Sequence, residues 1–185
     1  MGNGNRGNIM IIKNGLVFTP EGKFEKKDLY VEGEYVAKET TDNKEVEAEG
    51  CYVIPGLVDI HFHGCVRHDM CDGTEESIQA LADYEAANGV LAICPATMTI
   101  PEEELFQAMK AAKGHKNGKG ADLVGINMEG PFVNKEKKGA QKEEDIKTAD
   151  VDFFHRMQEA AGGLVKLIDL APETEGAMEF IDQVK

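Results

Sequence analysis

No apolar run in the sequence approaches the length needed to cross a bilayer, and its opening residues, Met1-Gly2-Asn3-Gly4-Asn5-Arg6-Gly7, lack the apolar core of an export signal. A cytoplasmic protein is the expectation. Positive charge is scarce: 20 Lys and Arg stand against 34 Asp and Glu, a formal net charge of −14. That balance argues against a general nucleic-acid or anionic-membrane surface, while leaving room for a small anionic substrate held by a few local bases. The four cysteines, Cys51, Cys65, Cys71 and Cys94, include no Cys-x-x-Cys pair, so reduced thiols are expected rather than a disulfide framework. No Gly-x-Gly-x-x-Gly follows the first candidate strand of the α/β portion, which counts against a dinucleotide fold.

What the chain does have is enough apolar material for one ordinary core, 42% of 185 residues, and one stretch around which the rest is organised. Ile54-Pro55-Gly56-Leu57-Val58-Asp59-Ile60-His61-Phe62-His63-Gly64 reads as a strand opened by a Pro-Gly turn and closed by glycine. Alternation along a strand sends residues i and i+2 to one face, so His61 and His63 project together at its C-terminal end. Two imidazoles placed there can share a metal ion.

Before this stretch, residues 1–53 read as a β segment. Short strands at Ile9–Ile12, Gly15–Phe18, Asp28–Val31 and Tyr35–Ala37 are punctuated by Asn14-Gly15, Pro20-Glu21-Gly22 and Glu32-Gly33-Glu34, with residues 1–8 as a disordered arm. The segment is too small to stand securely alone.

Residues 54–185 alternate strand and helix. Helical spacing over Glu75–Asn88 places Ile78, Leu81 and Ala82 on one face, with Asp72 and Thr74 as candidate caps and Gly89 at the stop. Strand Val90–Cys94 follows, then a helix whose start carries capping-box spacing between Thr99 and Glu102 and whose inward residues are Leu105, Ala108, Met109 and Ala112. Strand Asp122–Met128 delivers Glu129-Gly130-Pro131. A helix over Asp150–Ala161, a strand over Leu164–Leu170 and a last helix from Thr174 complete the pattern. The fold class is therefore α/β: part of a (β/α)8 barrel, with about four βα units starting near Ile54, Val90, Asp122 and Leu164, preceded by a small β segment. Polar residues at successive strand ends, His61, His63 and Glu129, fit the active face of a barrel.

Other titratable groups read more plainly. Asp59 is expected as a structural hydrogen-bond partner, His68 as solvated, and His115 and His155 as surface residues. Cys65 is a neighbour of the His pair expected to be a partly buried thiol, and Lys135, Lys137 and Lys138 a solvated loop cluster that could attract a sugar phosphate.

Pro55-Gly56-Leu57-Val58-Asp59-Ile60-His61-Phe62-His63, with Asn127-Met128-Glu129-Gly130-Pro131-Phe132, resembles the amidohydrolase superfamily. Within it the chain is most similar to the N-acetylglucosamine-6-phosphate deacetylase family, from about Ile9 to the last residue. The specific part is Glu-Gly-Pro-Phe followed by Lys137-Lys138-Gly139-Ala140; Asp72-Gly73-Thr74, Pro95-Ala96-Thr97 and Leu170-Ala171-Pro172-Glu173 add to it. The resemblance implies metal-assisted deacetylation of N-acetylglucosamine 6-phosphate to glucosamine 6-phosphate and acetate. It implies Glu129, His61 and His63 as metal ligands, zinc as the ion with iron second, the backbone of Ala140 as a sugar contact, and a β segment that is one part of a composite β-sandwich. Gln141 departs from the pattern, standing where some members carry a histidine, and the loop Gly64–His68 has fewer glycines than the family's.

The family's further metal histidines, sugar-phosphate contacts and acid/base aspartate belong to later strands, so this chain is expected to be an incomplete and inactive portion that forms a homo-oligomer or associates through open barrel edges. Two alternatives stand beside this reading. One is a cyclic amide hydrolase of the dihydroorotase or hydantoinase kind, which Glu129-Gly130-Pro131 argues against because those enzymes commonly use a carboxylated lysine. The other is a catalytically silent metal-binding or interaction module.

Overall fold

A computed structural model describes residues 10–33, 35–40 and 44–185, so the arm expected over 1–8 lies outside the described residues. The chain divides into two compact units, Met1–Pro55 and Gly56–Lys185.

The first unit is a β-sheet. Its strands are β1 (Met10–Phe18), β2 (Phe24–Glu32), β3 (Tyr35–Ala37), β4 (Glu45–Glu47) and β5 (Tyr52–Val53), in the order β3-β2-β1-β4, with β5 also on β1. β1 and β2 form an antiparallel hairpin, whereas β4 and β5 join β1 in parallel. The two strands expected at Ile9–Ile12 and Gly15–Phe18 are one. Asn14-Gly15 is a bulge inside β1 rather than a turn: Asn14 takes a φ of 60°, and its N–H, lost from the ladder, donates to Asp28 Oδ1 at 2.9 Å. Phe24 packs on Phe18 and Tyr52, with ring centroids 5.2 and 4.8 Å away. Among the described residues this sheet stays open at β3 and β4.

The second unit runs β6 (Leu57–Asp59), β7 (Gly64–Cys65), β8 (His68–Asp69), α1 (Glu75–Ala87), β9 (Val90–Ile93), α2 (Glu102–Gly114), β10 (Asp122–Leu123), β11 (Ile126–Glu129), α3 (Val151–Ala160), β12 (Val165–Asp169) and α4 (Ala177–Val184). β6, β9 and β10 are parallel neighbours, β11 and β12 are another parallel pair, and a bridge between Ala96 and Asn127 links the two sets. Strand order thus follows chain order, as helix-linked parallel strands require. The core joins Ile78 and Leu81 of α1, Leu105 and Met109 of α2, and Phe153 and Met157 of α3 to Ile93, Ile126 and Met128 of the strands. Phe132, after β11, meets the rings of Phe153 and Phe180 at 5.7 and 5.1 Å.

Three local expectations are corrected. Of the strand expected over 54–64, only Leu57–Asp59 pairs in the parallel sheet, and Gly64 belongs to the separate β7 that pairs with β8; the His-x-His segment between them is tied by Ala96 N–H to Phe62 O (2.7 Å) and by Met70 N–H to His63 O (2.9 Å). The strand expected over 122–128 breaks at Val124-Gly125, pairing with β9 before the break and with β12 after it. A Cβ at Gly125 would meet Lys166 Cγ at 2.6 Å and Cys94 Sγ at 2.9 Å, so the close approach at the break requires glycine. The capping box is absent: Pro101 is the N-cap of α2, without a side-chain bond. Thr99 instead gives its backbone N–H to Gln141, and Glu102 reaches across to Arg156 on α3.

The barrel is not closed. Leu57, Val58, Ile60, Leu91, Val124 and Leu167, from β6 to β12, are exposed by 37–59%, unlike the parallel strands of a complete α/β protein, which are covered on both faces. Among the described residues no helix is long and apolar enough to cross a membrane.

Candidate metal centre

Glu129 is the last residue of β11, and His61 and His63 follow the end of β6. The sheet brings these strand ends together, so that the three side chains offer ligand atoms all within 4.8 Å of one another. Glu129 Oε2 lies 3.3 Å from His61 Nε2 and 3.2 Å from His63 Nε2. Tetrahedral ligands at roughly 2.0–2.1 Å from one ion stand about 3.3 Å apart, so these separations suit a small divalent cation. Two imidazoles and one carboxylate are also the donor types that zinc and iron accept. The residues present therefore fit the group, with His61 the most accessible of the three and Glu129 the least.

A ligating imidazole needs a bare Nε2, hence its proton on Nδ1 and an acceptor for that proton. At His61 two groups compete for Nδ1. Asn127 Nδ2 lies 2.9 Å away while donating also to Ile60 O, and Asp169 Oδ2 lies 3.4 Å away. The amide donor favours the tautomer with the proton on Nε2, which then faces Glu129. The Asp169 carboxylate favours the opposite tautomer, the one a metal requires. Asn127 Oδ1 is buried without a partner among the described residues, so a half-turn of that amide would supply a second acceptor. His63 Nδ1 is likewise buried with no partner.

Other groups fall out as follows. Asp59 Oδ1 accepts the backbone N–H of His61 at 2.9 Å, the structural role expected for it. Ala140 is exposed in the turn next to Gln141, whose side chain reaches Glu129. A cleft of about 580 Å³ opens beside the centre, bounded by His61, Glu129, Asn134, Lys137, Asp169 and Glu173. Asn134 donates to Glu173 at 2.9 Å and holds that carboxyl below its usual range. Lys137 lines this cleft, whereas Lys138 donates to Gln141 O at 3.0 Å and Lys135 is simply exposed. Cys65 is half-buried, outside the three-residue cluster, and burial pushes its thiol up. His68 is not freely solvated: its Nδ1 lies 3.1 Å from the buried Ser77 hydroxyl. His115 caps α2 with its Nε2 buried, while His155 is exposed as expected.

Sequence reasoning missed Asn127, Asp169 and Gln141 as members of the site. The i, i+2 rule that paired His61 with His63 could have paired Asn127 with Glu129, and the strand-end rule could have reached Asp169 on β12. Gln141 stood out in the sequence only by departing from the family pattern; coming from an irregular loop, it has no periodicity to show that its side chain turns inward to Glu129.

No protein-family profile matches the chain. It is 33% identical over 181 residues to N-acetylglucosamine-6-phosphate deacetylase of Bacillus subtilis (strain 168), an alignment covering 95% of this chain and 44% of that protein. It is 26% identical over 178 residues to N-acetylgalactosamine-6-phosphate deacetylase of Escherichia coli O157:H7, covering 95% and 47%. Among solved structures, the Mycobacterium smegmatis N-acetyl-D-glucosamine-6-phosphate deacetylase in complex with N-acetyl-D-glucosamine-6-phosphate matches with a TM-score of 0.82 at 23% identity, over 96% of this chain and 47% of that one. That likeness is one of fold. The chain spans about half the length of these relatives. Its sequence and its fold together make the chain a homologue of the N-terminal portion of the N-acetylglucosamine-6-phosphate deacetylases, in the amidohydrolase superfamily, over 40–50% of their length.

Proposed function

We propose that these residues form the metal-holding part of a sugar-phosphate deacetylase, in which His61, His63 and Glu129 bind a divalent ion, zinc first and iron second. The observation that carries the reading is the approach of both Nε2 atoms to one oxygen of Glu129, at 3.3 and 3.2 Å. A divalent ion held there polarises an acetamide carbonyl and lowers the pKa of bound water toward neutrality. The reaction is hydrolysis of the N-acetyl group of N-acetylglucosamine 6-phosphate: water adds to the amide carbon, the C–N bond breaks, and acetate and the amino sugar leave. Ala140 contributes its backbone to the sugar from the turn beside Gln141. Lys137 offers the cleft a positive charge for an anionic substrate.

Support for a larger assembly comes from the strands. The apolar residues left exposed from β6 to β12 would be covered if the four βα units were part of a closed eightfold barrel. Turnover is accordingly expected only with further residues that complete the barrel and supply an acid/base group, either in a longer chain or through association at the open edges. The relatives include both an N-acetylglucosamine-6-phosphate and an N-acetylgalactosamine-6-phosphate deacetylase, so both epimers are substrates to test.

The test is a titration of the purified chain with Co²⁺, followed by visible absorption, alongside acetate release, by this chain and by a longer version that completes the barrel, from both N-acetylhexosamine 6-phosphates and from N-acetylglucosamine without phosphate. One Co²⁺ bound per chain and lost in His63→Ala supports the metal centre. No binding by the unaltered chain overturns it, and acetate release that ignores the phosphate overturns the substrate class.

A further inference from the structure

The geometry points to Gln141 as the residue that holds Glu129 as a one-oxygen ligand, an inference that rests on the metal reading above. Gln141 is 4% exposed although it comes from an irregular loop, and the orientation of its amide is unambiguous. Oε1 accepts the backbone N–H of Thr99 at 2.6 Å, and a backbone N–H can only donate, so Nε2 must face the other way. There Nε2 donates to Glu129 Oε1 and lies 3.7 Å from Met98 Sδ. The two carboxylate oxygens are thereby divided: Oε1 belongs to Gln141, and Oε2 is the oxygen facing His61 and His63.

A carboxylate with both oxygens free can bind an ion through one or both and can rotate between these states. With Oε1 tied to a buried amide that is anchored on the main chain after β9, Glu129 presents Oε2 alone, already aimed. Such partners of a ligand typically change metal affinity by about 10–100-fold when removed. Gln141 is a positioning residue in this scheme and touches neither ion nor substrate.

The experiment compares Co²⁺ affinity and the visible Co²⁺ spectrum of the unaltered chain with three variants, and records the unfolding midpoint of each without metal. Gln141→Met keeps the volume but loses the donor, and about tenfold or greater weakening is expected. Gln141→Glu keeps an acceptor for Thr99 N–H while removing the donor to Glu129, and an altered Co²⁺ spectrum is expected as Glu129 changes its binding mode. Met98→Leu disturbs the packing of the same amide without touching Glu129 and is expected to leave affinity and spectrum unchanged. Either Gln141 variant, folded and binding Co²⁺ with unaltered affinity and spectrum, overturns the inference. Weakening in Met98→Leu equal to that in Gln141→Met overturns it too, since packing alone would then be the cause. No Co²⁺ bound by the unaltered chain removes the metal reading and this inference together.

Discussion

Nε2 of His63 stands 3.2 Å from Oε2 of Glu129, a meeting of the segment that follows β6 with the end of β11, two strands that do not pair with each other. The main chain after β9 lies between them: Ala96 N–H donates to Phe62 O at 2.7 Å and Ala96 bridges in parallel to Asn127, which brings the two segments to one point. The pair supplies two of the three donors of the centre, and losing either weakens the hold on a small divalent ion. Glu129→Gln and His63→Ala are each expected to weaken Co²⁺ binding by at least about 10–100-fold, with little change in the unfolding midpoint of the metal-free chain. Isothermal titration against the unaltered chain decides it; equal affinity would remove these residues from the site.

Asp169 is expected to set the tautomer of His61. It lies 3.4 Å from Nδ1, and Asn127 Nδ2 competes for the same atom at 2.9 Å. Asp169→Asn weakens the acceptor, so metal affinity is expected to fall by about tenfold at neutral pH. The position of the Nδ1 proton can be followed by nitrogen NMR of the imidazole with and without Zn²⁺. Unchanged affinity and an unchanged spectrum would give the acceptor role to Asn127.

Phe132 anchors the segment after β11 on α3 and α4. It is 1% exposed and its ring meets those of Phe153 and Phe180 edge-on. Phe132→Ala opens a cavity where three elements join, and a loss of about 3–5 kcal/mol is expected in urea unfolding. A loss under about 1 kcal/mol would mean that this cluster is not part of the cooperative core.

Glu102 joins α2 to α3, 2.8 Å from Arg156 and 3.5 Å from Lys147. The hydrogen bond from Arg156, with its charge, holds the Glu102 carboxyl below its usual value of 4.5. A depressed folded-state pKa contributes stability that is present above the unfolded value and lost as pH falls through the folded one. Glu102→Gln is therefore expected to lower the melting temperature slightly at pH 7, and the difference to vanish as the pH drops below about 4. Both side chains are about half exposed, so the effect is small and shrinks with added salt. Scanning calorimetry at pH 7 and pH 3 checks the sign; a gap that widens in acid would refute it.

Periodicity in the sequence determined which residues face inward on α1 and α2, because a helix must bury one stripe of its own surface wherever it packs. Spacing likewise put His61 beside His63, since i and i+2 share a face in any extended chain, and strand-end placement put Glu129 with them. Only the tertiary structure decided which partner each group met. The Asn14 bulge depends on Asp28 across the hairpin, and the break at Gly125 depends on Lys166 and Cys94 from neighbouring strands. Thr99 and Glu102 had the spacing of a cap, yet Thr99 N–H meets Gln141 and Glu102 meets Arg156, while the Thr99 hydroxyl is buried without a partner among the described residues. Gln141 itself sits in a loop with no period to reveal a buried face; its contact with Glu129 is set by the path that loop takes back over β11. Local pattern reports the burial of an element against whatever lies beside it, while the division of Glu129 between an amide and two imidazoles requires three separate segments to be brought to one point.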